Sequence, residues 1–331
     1  MFILIERMVK IDLKDRKILY ELDLNCRQTN TQIGKKVGLK KDVVAYRIKR
    51  LQDEGVLTCF WTAINTFKLG YNVFRIYINF QYVSSDIKNE IINHFVNYKN
   101  TWVVVTTKGS IDFDAVIWVN NVNEFYSFWN ETLDKFEEFF SKYTFSIFVE
   151  SIHYKKDYLL PENKDLRNHE FYRTSRIGKP VEIDELDYKL LNEIAMNART
   201  PLIDLAKKLN CSSQTIHYRL NNLIKLGIIN GFNIHIDYSK LGLQLYKIDI
   251  YLKDHKQRKK IVEYLEKKPY FICLNEAMGW SDIEPEFVLK NVDELNEEME
   301  NINYIFPNAI KNYNYWLTPK IHKYRWMPEM F

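Results

Sequence analysis

A chain of 331 residues is too long for one ordinary hydrophobic core and long enough for two to four compact domains. Its 46% hydrophobic and 27% charged residues are those of a soluble globular protein, and no apolar run reaches the roughly 20 residues of a membrane span or the length of a signal peptide. A net charge of +4 permits nucleic-acid binding without demanding it. The 10 glycines form neither GxGxxG nor GxxxxGK[ST], which leaves dinucleotide and nucleoside-triphosphate sites unsupported. Cys26, Cys59, Cys211 and Cys273 include no CxxC pair, so no zinc site, other metal site or disulfide framework is expected. Reduced thiols, a cytoplasmic location and no cofactor are the reading.

Residues 12–25 predict a helix opened by the capping side chain of Asp12, with Leu13, Ile18, Leu19 and Leu22 at helical spacing. A short helix with Ile33 and Val37 on one side stops at Gly38, and a third runs from about Asp42 to Glu54 and ends at Gly55. Two helices around a glycine turn form a helix-turn-helix signature. Residues 55–64 then alternate like a hairpin, which would make the module winged. Next come a strand at 73–83, a helix at 86–98, strands at 101–107 and 113–119, a helix at 122–142 and a strand at 145–154. The order βαββαβ is that of a ferredoxin-like sandwich.

A polar stretch with Pro161 and Pro180 reads as a linker, after which the pattern begins again. Ile11-Asp12-x-x-Asp15-x-Lys17-x-Leu19 returns as Ile183-Asp184-x-x-Asp187-x-Lys189-x-Leu191, an offset of 172 that holds through Phe60/Phe232 and Gly70/Gly242. Gly109-x-x-Asp112 returns as Gly279-x-x-Asp282 at an offset of 170. The chain is a tandem duplication of α+β class. Five segments are expected: winged helix-turn-helix domains at 8–65 and 182–238, ferredoxin-like domains at 70–155 and 243–320, and a linker at 156–181.

The Asp12-x-x-Asp15-x-Lys17-Ile18-Leu19 run, the Tyr46-Arg47-Ile48-x-x-Leu51-x-x-x-Gly55-Val56 stretch and the Gly109-x-x-Asp112 turn resemble the Lrp/AsnC (feast/famine) regulators. The resemblance covers nearly the whole chain, twice, and the fused tandem form resembles certain archaeal members. It implies a transcription regulator that binds double-stranded DNA and carries sensor domains for small molecules, often amino acids. It also implies effector contacts at Gly109, Ser110, Asp112, Gly279, Trp280 and Asp282. A glycine lets backbone approach a ligand, while the plainer reading of the same residues is a tight turn.

Helical phasing puts Val44, Ile48 and Leu51 inside the third helix, and Ile216, Leu220 and Leu223 inside its counterpart. The DNA-facing candidates of copy one are Lys40, Lys41, Tyr46, Arg47, Lys49 and Arg50, suited to phosphates or guanine edges. Those of copy two are Ser212, Ser213, Gln214, Thr215, His217, Tyr218, Arg219 and Asn221, whose amides suit adenine. The two halves are expected to read unlike half-sites. Tyr46 and Tyr218 could instead pack on the wing, and Arg47 and Arg219 could pair with Asp15 and Asp187. In copy one Lys40 and Val43 replace the Ser and Thr usual at this helix start, which removes a cap; Ser212 and Thr215 keep it.

An enzyme is the alternative, since siroheme decarboxylases share this two-domain fold. Their His-x-Tyr-Asn stretch has no counterpart in Asn100-Thr101-Trp102-Val103 or Lys268-Pro269-Tyr270-Phe271, and no catalytic residue is assigned. Sensor sheets pair in the family, within one chain or between two. The apolar surface of Phe125, Phe128, Trp129, Phe136, Phe139 and Phe140 favours pairing between chains and a homodimer.

Overall fold

A computed structural model describes residues 8–160 and 170–329. The first winged helix-turn-helix domain, labelled reader one, comprises α1 (Leu13–Leu24), α2 (Asn30–Val37) and α3 (Lys41–Asp53), followed by strand β1 (Leu57–Ile64). Asp12 and Asp15 close a capping box on α1, and Thr29 with Gln32 closes one on α2. Gly38, at φ +68°, ends α2 in the left-handed conformation that glycine adopts without strain. Ile18, Leu19, Leu22, Ile33, Val44, Ile48 and Leu51 meet in one core.

The first ferredoxin-like domain, for which sensor one serves only as a label, follows as β2 (Asn72–Phe80), α4 (Ser85–Asn97), β3 (Thr101–Gly109), β4 (Phe113–Val119), α5 (Val122–Phe136) and β5 (Phe140–Tyr154). A short strand β6 (Glu170–Ser175) leads to reader two, made of α6 (Glu185–Ala195), α7 (Leu202–Lys208), α8 (Ser213–Lys225) and β7 (Ile229–Ile236). Sensor two is β8 (Gln244–Leu252), α9 (Arg258–Leu265), β9 (Phe271–Met278), β10 (Glu284–Leu289), α10 (Val292–Ile305) and β11 (Ile310–Tyr324). Both sensors have the βαββαβ order read from the periodicity. No helix among the described residues is long and apolar enough to cross a membrane.

Sensor one forms the antiparallel sheet β5-β2-β4-β3, and sensor two forms β9-β10-β8-β11. Their free edges then meet. β3 pairs with β11 from Val103↔Tyr324 to Gly109↔Trp316, and β5 pairs with β9 from Ile147↔Met278 to His153↔Cys273. Eight strands thus close a circuit with no edge left open, which removes the unpaired ladder groups an isolated sheet exposes. The helices lie outside, α4 and α5 over one sheet and α9 and α10 over the other.

Four expectations change. The sheet pairing anticipated between two chains is made within one. The aromatic side of α5 is not spare surface, because Phe125, Phe128, Trp129 and Phe136 are buried on their own sheet against partners such as Phe74 and Phe145. The wing is no local hairpin: β1 pairs antiparallel with β7, wing of one reader to wing of the other. The expected linker is partly built into the fold. Tyr158, Leu159 and Leu160 pack into reader one, and β6 pairs with the outer half of β5. Pro161 lies outside the described residues; Pro180 lies within them.

Candidate nucleic-acid interface

Each reader turns its third helix outward. On α3, Val44, Ile48 and Leu51 are buried while Lys41, Asp42, Ala45, Tyr46 and Lys49 are exposed. On α8, Ile216, Leu220 and Leu223 are buried while Gln214, His217, Tyr218 and Asn221 are exposed. Tyr46 is 68% and Tyr218 72% exposed, so neither ring packs on a wing and both stand free for a partner. His217 and Asn221 are hydrogen-bonded to each other at 3.0 Å across one helical turn.

The arginines divide differently. Arg47 donates to Asp12 and Asp15 at 2.8–2.9 Å, and Arg219 pairs with Asp184 and Asp187 at 2.7–2.9 Å. Arg50 reaches Asp15 at 2.5 Å. These cations tie the recognition helix to the first helix of the same reader. The Asp187 amide, then the Arg219 guanidinium, hold the Asp184 carboxyl below the usual carboxylate range. Lys49 is engaged with Asp53 one turn on, whereas Lys40 and Lys41 are exposed at the helix start.

The helix starts differ as the sequence indicates. Ser212 accepts from the Thr215 amide at 3.0 Å and caps α8, with Ser213 opening the helix behind it. Lys40 makes no capping bond to α3. Reader one therefore offers cations and an uncapped amide end, and reader two offers amides and hydroxyls.

What sequence reasoning missed is how the readers are locked together. Arg27 donates to the Ala198 carbonyl at 2.5 Å and lies over the Phe232 ring. Arg199 donates to the Cys26 carbonyl at 2.7 Å and lies over the Phe60 ring. The two sets exchange under the repeat offset of 172, so the readers obey a local pseudo-twofold. The signal was available: Arg27 and Arg199 recur in both copies without belonging to either recognition helix. The C-terminal Trp326 was missed too; it stacks on Trp61 of β1 at 3.7 Å and belongs to the core of reader two.

The turns expected to hold an effector lie elsewhere, where the sheets meet. A Cβ on Gly109 would come within 2.4 Å of the Tyr315 carbonyl oxygen, and one on Gly279 within 2.7 Å of the Phe145 carbonyl oxygen. These glycines admit the backbone of the other sheet. Their φ angles of +134° and +106° reinforce the requirement. The Ser110 amide donates to Tyr315, and the Asp112 amide to Ile78. Asp112 and Asp282 accept from the Phe80 and Leu252 amides, and Trp280 stacks on Tyr77.

A family profile described as winged helix-turn-helix DNA-binding matches residues 11–58 and again 183–230. The regulatory protein AsnC of Haemophilus influenzae is 40% identical over 85 residues, 25% of this chain and 57% of that protein. An uncharacterized HTH-type transcriptional regulator of Pyrococcus furiosus is 32% identical over 103 residues, 31% of this chain and 70% of the relative. The chain belongs to the Lrp/AsnC family of transcriptional regulators. Within that family it is a tandem form, with both readers on one polypeptide. The crystal structure of the siroheme decarboxylase NirDL superposes with a TM-score of 0.63, covering 96% of this chain and 94% of that one. At 11% identity that likeness is one of fold, and it extends to the tandem arrangement.

Proposed function

We propose that this Lrp/AsnC chain is a sequence-specific transcription regulator, not an enzyme, acting on double-stranded DNA with two unlike readers. The observation that carries the reading is the pair of outward helix faces, α3 and α8, held in fixed relation by the β1–β7 ladder and the Arg27 and Arg199 bridges. Lys40, Lys41 and Lys49 serve phosphates or guanine edges in reader one. Gln214, His217 and Asn221 read base edges in reader two, flanked by Ser212, Ser213 and Thr215. Tyr46 and Tyr218 contact DNA in equivalent places. Arg47, Arg50 and Arg219 act chiefly by orienting the helices through their carboxylate partners. A cytoplasmic location fits four unpaired cysteines.

Selection of bound duplexes from a random pool, followed by affinity across salt, tests this. The expected product is two different half-sites in fixed spacing, with affinity falling steeply as salt rises. A perfect inverted repeat would overturn the unlike readers, and no enrichment would overturn the function. For the sensors, we propose that a small molecule such as an amino acid meets the barrel beside the two glycine turns. Ser110 Oγ supports this, being buried there without a hydrogen-bond partner. The selected duplex titrated in the presence of amino acids is the check; an affinity indifferent to all of them removes the effector reading.

A further inference from the structure

The barrel encloses charge. Arg75 and Tyr77 of β2, Asp114 of β4, Lys247 and Asp249 of β8, and Glu284 of β10 are buried or nearly so, with Glu286 beside Lys247. Arg75 lies 3.3 Å from Asp114 and 3.6 Å from Glu284, and Lys247 pairs with Glu286. Four carboxyls thus share two cations. The other strands add no buried charge: β5 brings Ser146 and His153, with exposed Lys142 over the Trp280 ring, β9 brings Cys273 and Asn275, β3 brings Val105 and β11 brings Trp316. Burial drives the His153 imidazole down to about 4, so it is neutral at pH 7, and drives the Cys273 thiol up to about 12.

Two of the carboxyls face each other. The β8–β10 register sets Glu286 opposite Lys247 and Ile283 opposite Ile250, which sets Glu284 opposite Asp249. Like charges directly across an antiparallel pair repel, and these two are only 4% and 3% exposed. Asp249 makes no ion pair among the described residues, and Asp249 Oδ2 and Glu284 Oε1 have no hydrogen-bond partner. Two buried acids side by side do not both ionise, because Arg75 is shared with Asp114 and Lys247 is engaged by Glu286, so these cations offset the repulsion only in part.

We propose that Asp249 and Glu284 form a buried proton-binding pair that keeps a shared proton at neutral pH, so that closing the barrel is linked to proton uptake. Burial pushes Glu284 up to about 7 and Asp249 up to about 6, whereas Lys247 holds Glu286 below its ordinary value against its burial. The folded pair binds a proton that the unfolded chain, with carboxyls near 4.5 and 3.8, has released. Its contribution to stability is therefore greatest in acid, declines as pH rises from the ordinary carboxyl values towards 7, and levels off above. That is the reverse of a salt-bridged carboxylate.

Thermal unfolding of the full chain at pH 5 and pH 8 is the test, with Glu284→Gln and Asp249→Asn each standing in for the protonated acid. Each variant should melt several degrees above the wild type at pH 8, with the gap closing towards pH 5. A gap equal at both pH values overturns the proposal. If neither variant folds, infrared spectra of the wild type decide it: a protonated-carboxyl carbonyl band at pH 6 that fades by pH 9 is expected, and no such band at pH 6 overturns it.

Discussion

Lys40 stands where reader two has Ser212, and the exchange alters two properties at once. It leaves the first amides of α3 without a side-chain acceptor, and it sets an exposed cation at the start of that helix. Lys40→Ser should raise stability by about 1 kcal/mol by restoring the cap, read as a higher midpoint in denaturant. The same variant should flatten the salt dependence of DNA binding by about 0.9 in the log–log slope if Lys40 meets a phosphate. An unchanged slope would take Lys40 out of the interface. Residues of this kind were legible in the sequence, because phasing a 13-residue helix needs only the spacing of Val44, Ile48 and Leu51. The part played by Arg47 was left open there, since its carboxylate partners sit 32 and 35 positions away.

At the scale of elements, the two readers act as one unit because β1 and β7 share a ladder and two arginines cross between them. Each arginine donates to a carbonyl of the opposite copy and covers an aromatic ring there. Removing both by Arg27→Ala with Arg199→Ala should weaken binding to the two-half-site duplex by tenfold or more, towards the affinity for a half-site alone. Binding to an isolated half-site should change little, because the recognition faces are untouched. The reasoning is one of effective concentration: the second contact is nearly free only while the readers hold their spacing. Equal losses on both duplexes would show that the arginines support each reader and not their pairing.

For the whole molecule, closure of the barrel inside one chain means that a single polypeptide reproduces what sheet pairing would otherwise require of two. Both free edges, β3 with β11 and β5 with β9, are consumed internally. Light scattering after size exclusion should give a particle near the chain mass of 39.9 kDa. A stable particle of twice that mass would restore the homodimer, through a surface other than these edges. The aromatic wealth of α5 suggested an interchain seam because apolar periodicity reports that a face is buried without saying against what.

The sequence alone determined the duplication, the element types, the α+β class, the family resemblance and the outward faces of α3 and α8. These rest on local periodicity and capping residues, which act within a few residues of chain, and on a repeat offset that appears when the chain is compared with itself. Only the tertiary structure decided that the sheets close on each other, that wing pairs with wing, and that Gly109 and Gly279 admit the opposite sheet. It also placed Asp249 across from Glu284. Strand register is set by the fit of two distant segments, so a pair of acids 35 residues apart shows no sign in the sequence of sharing one buried position.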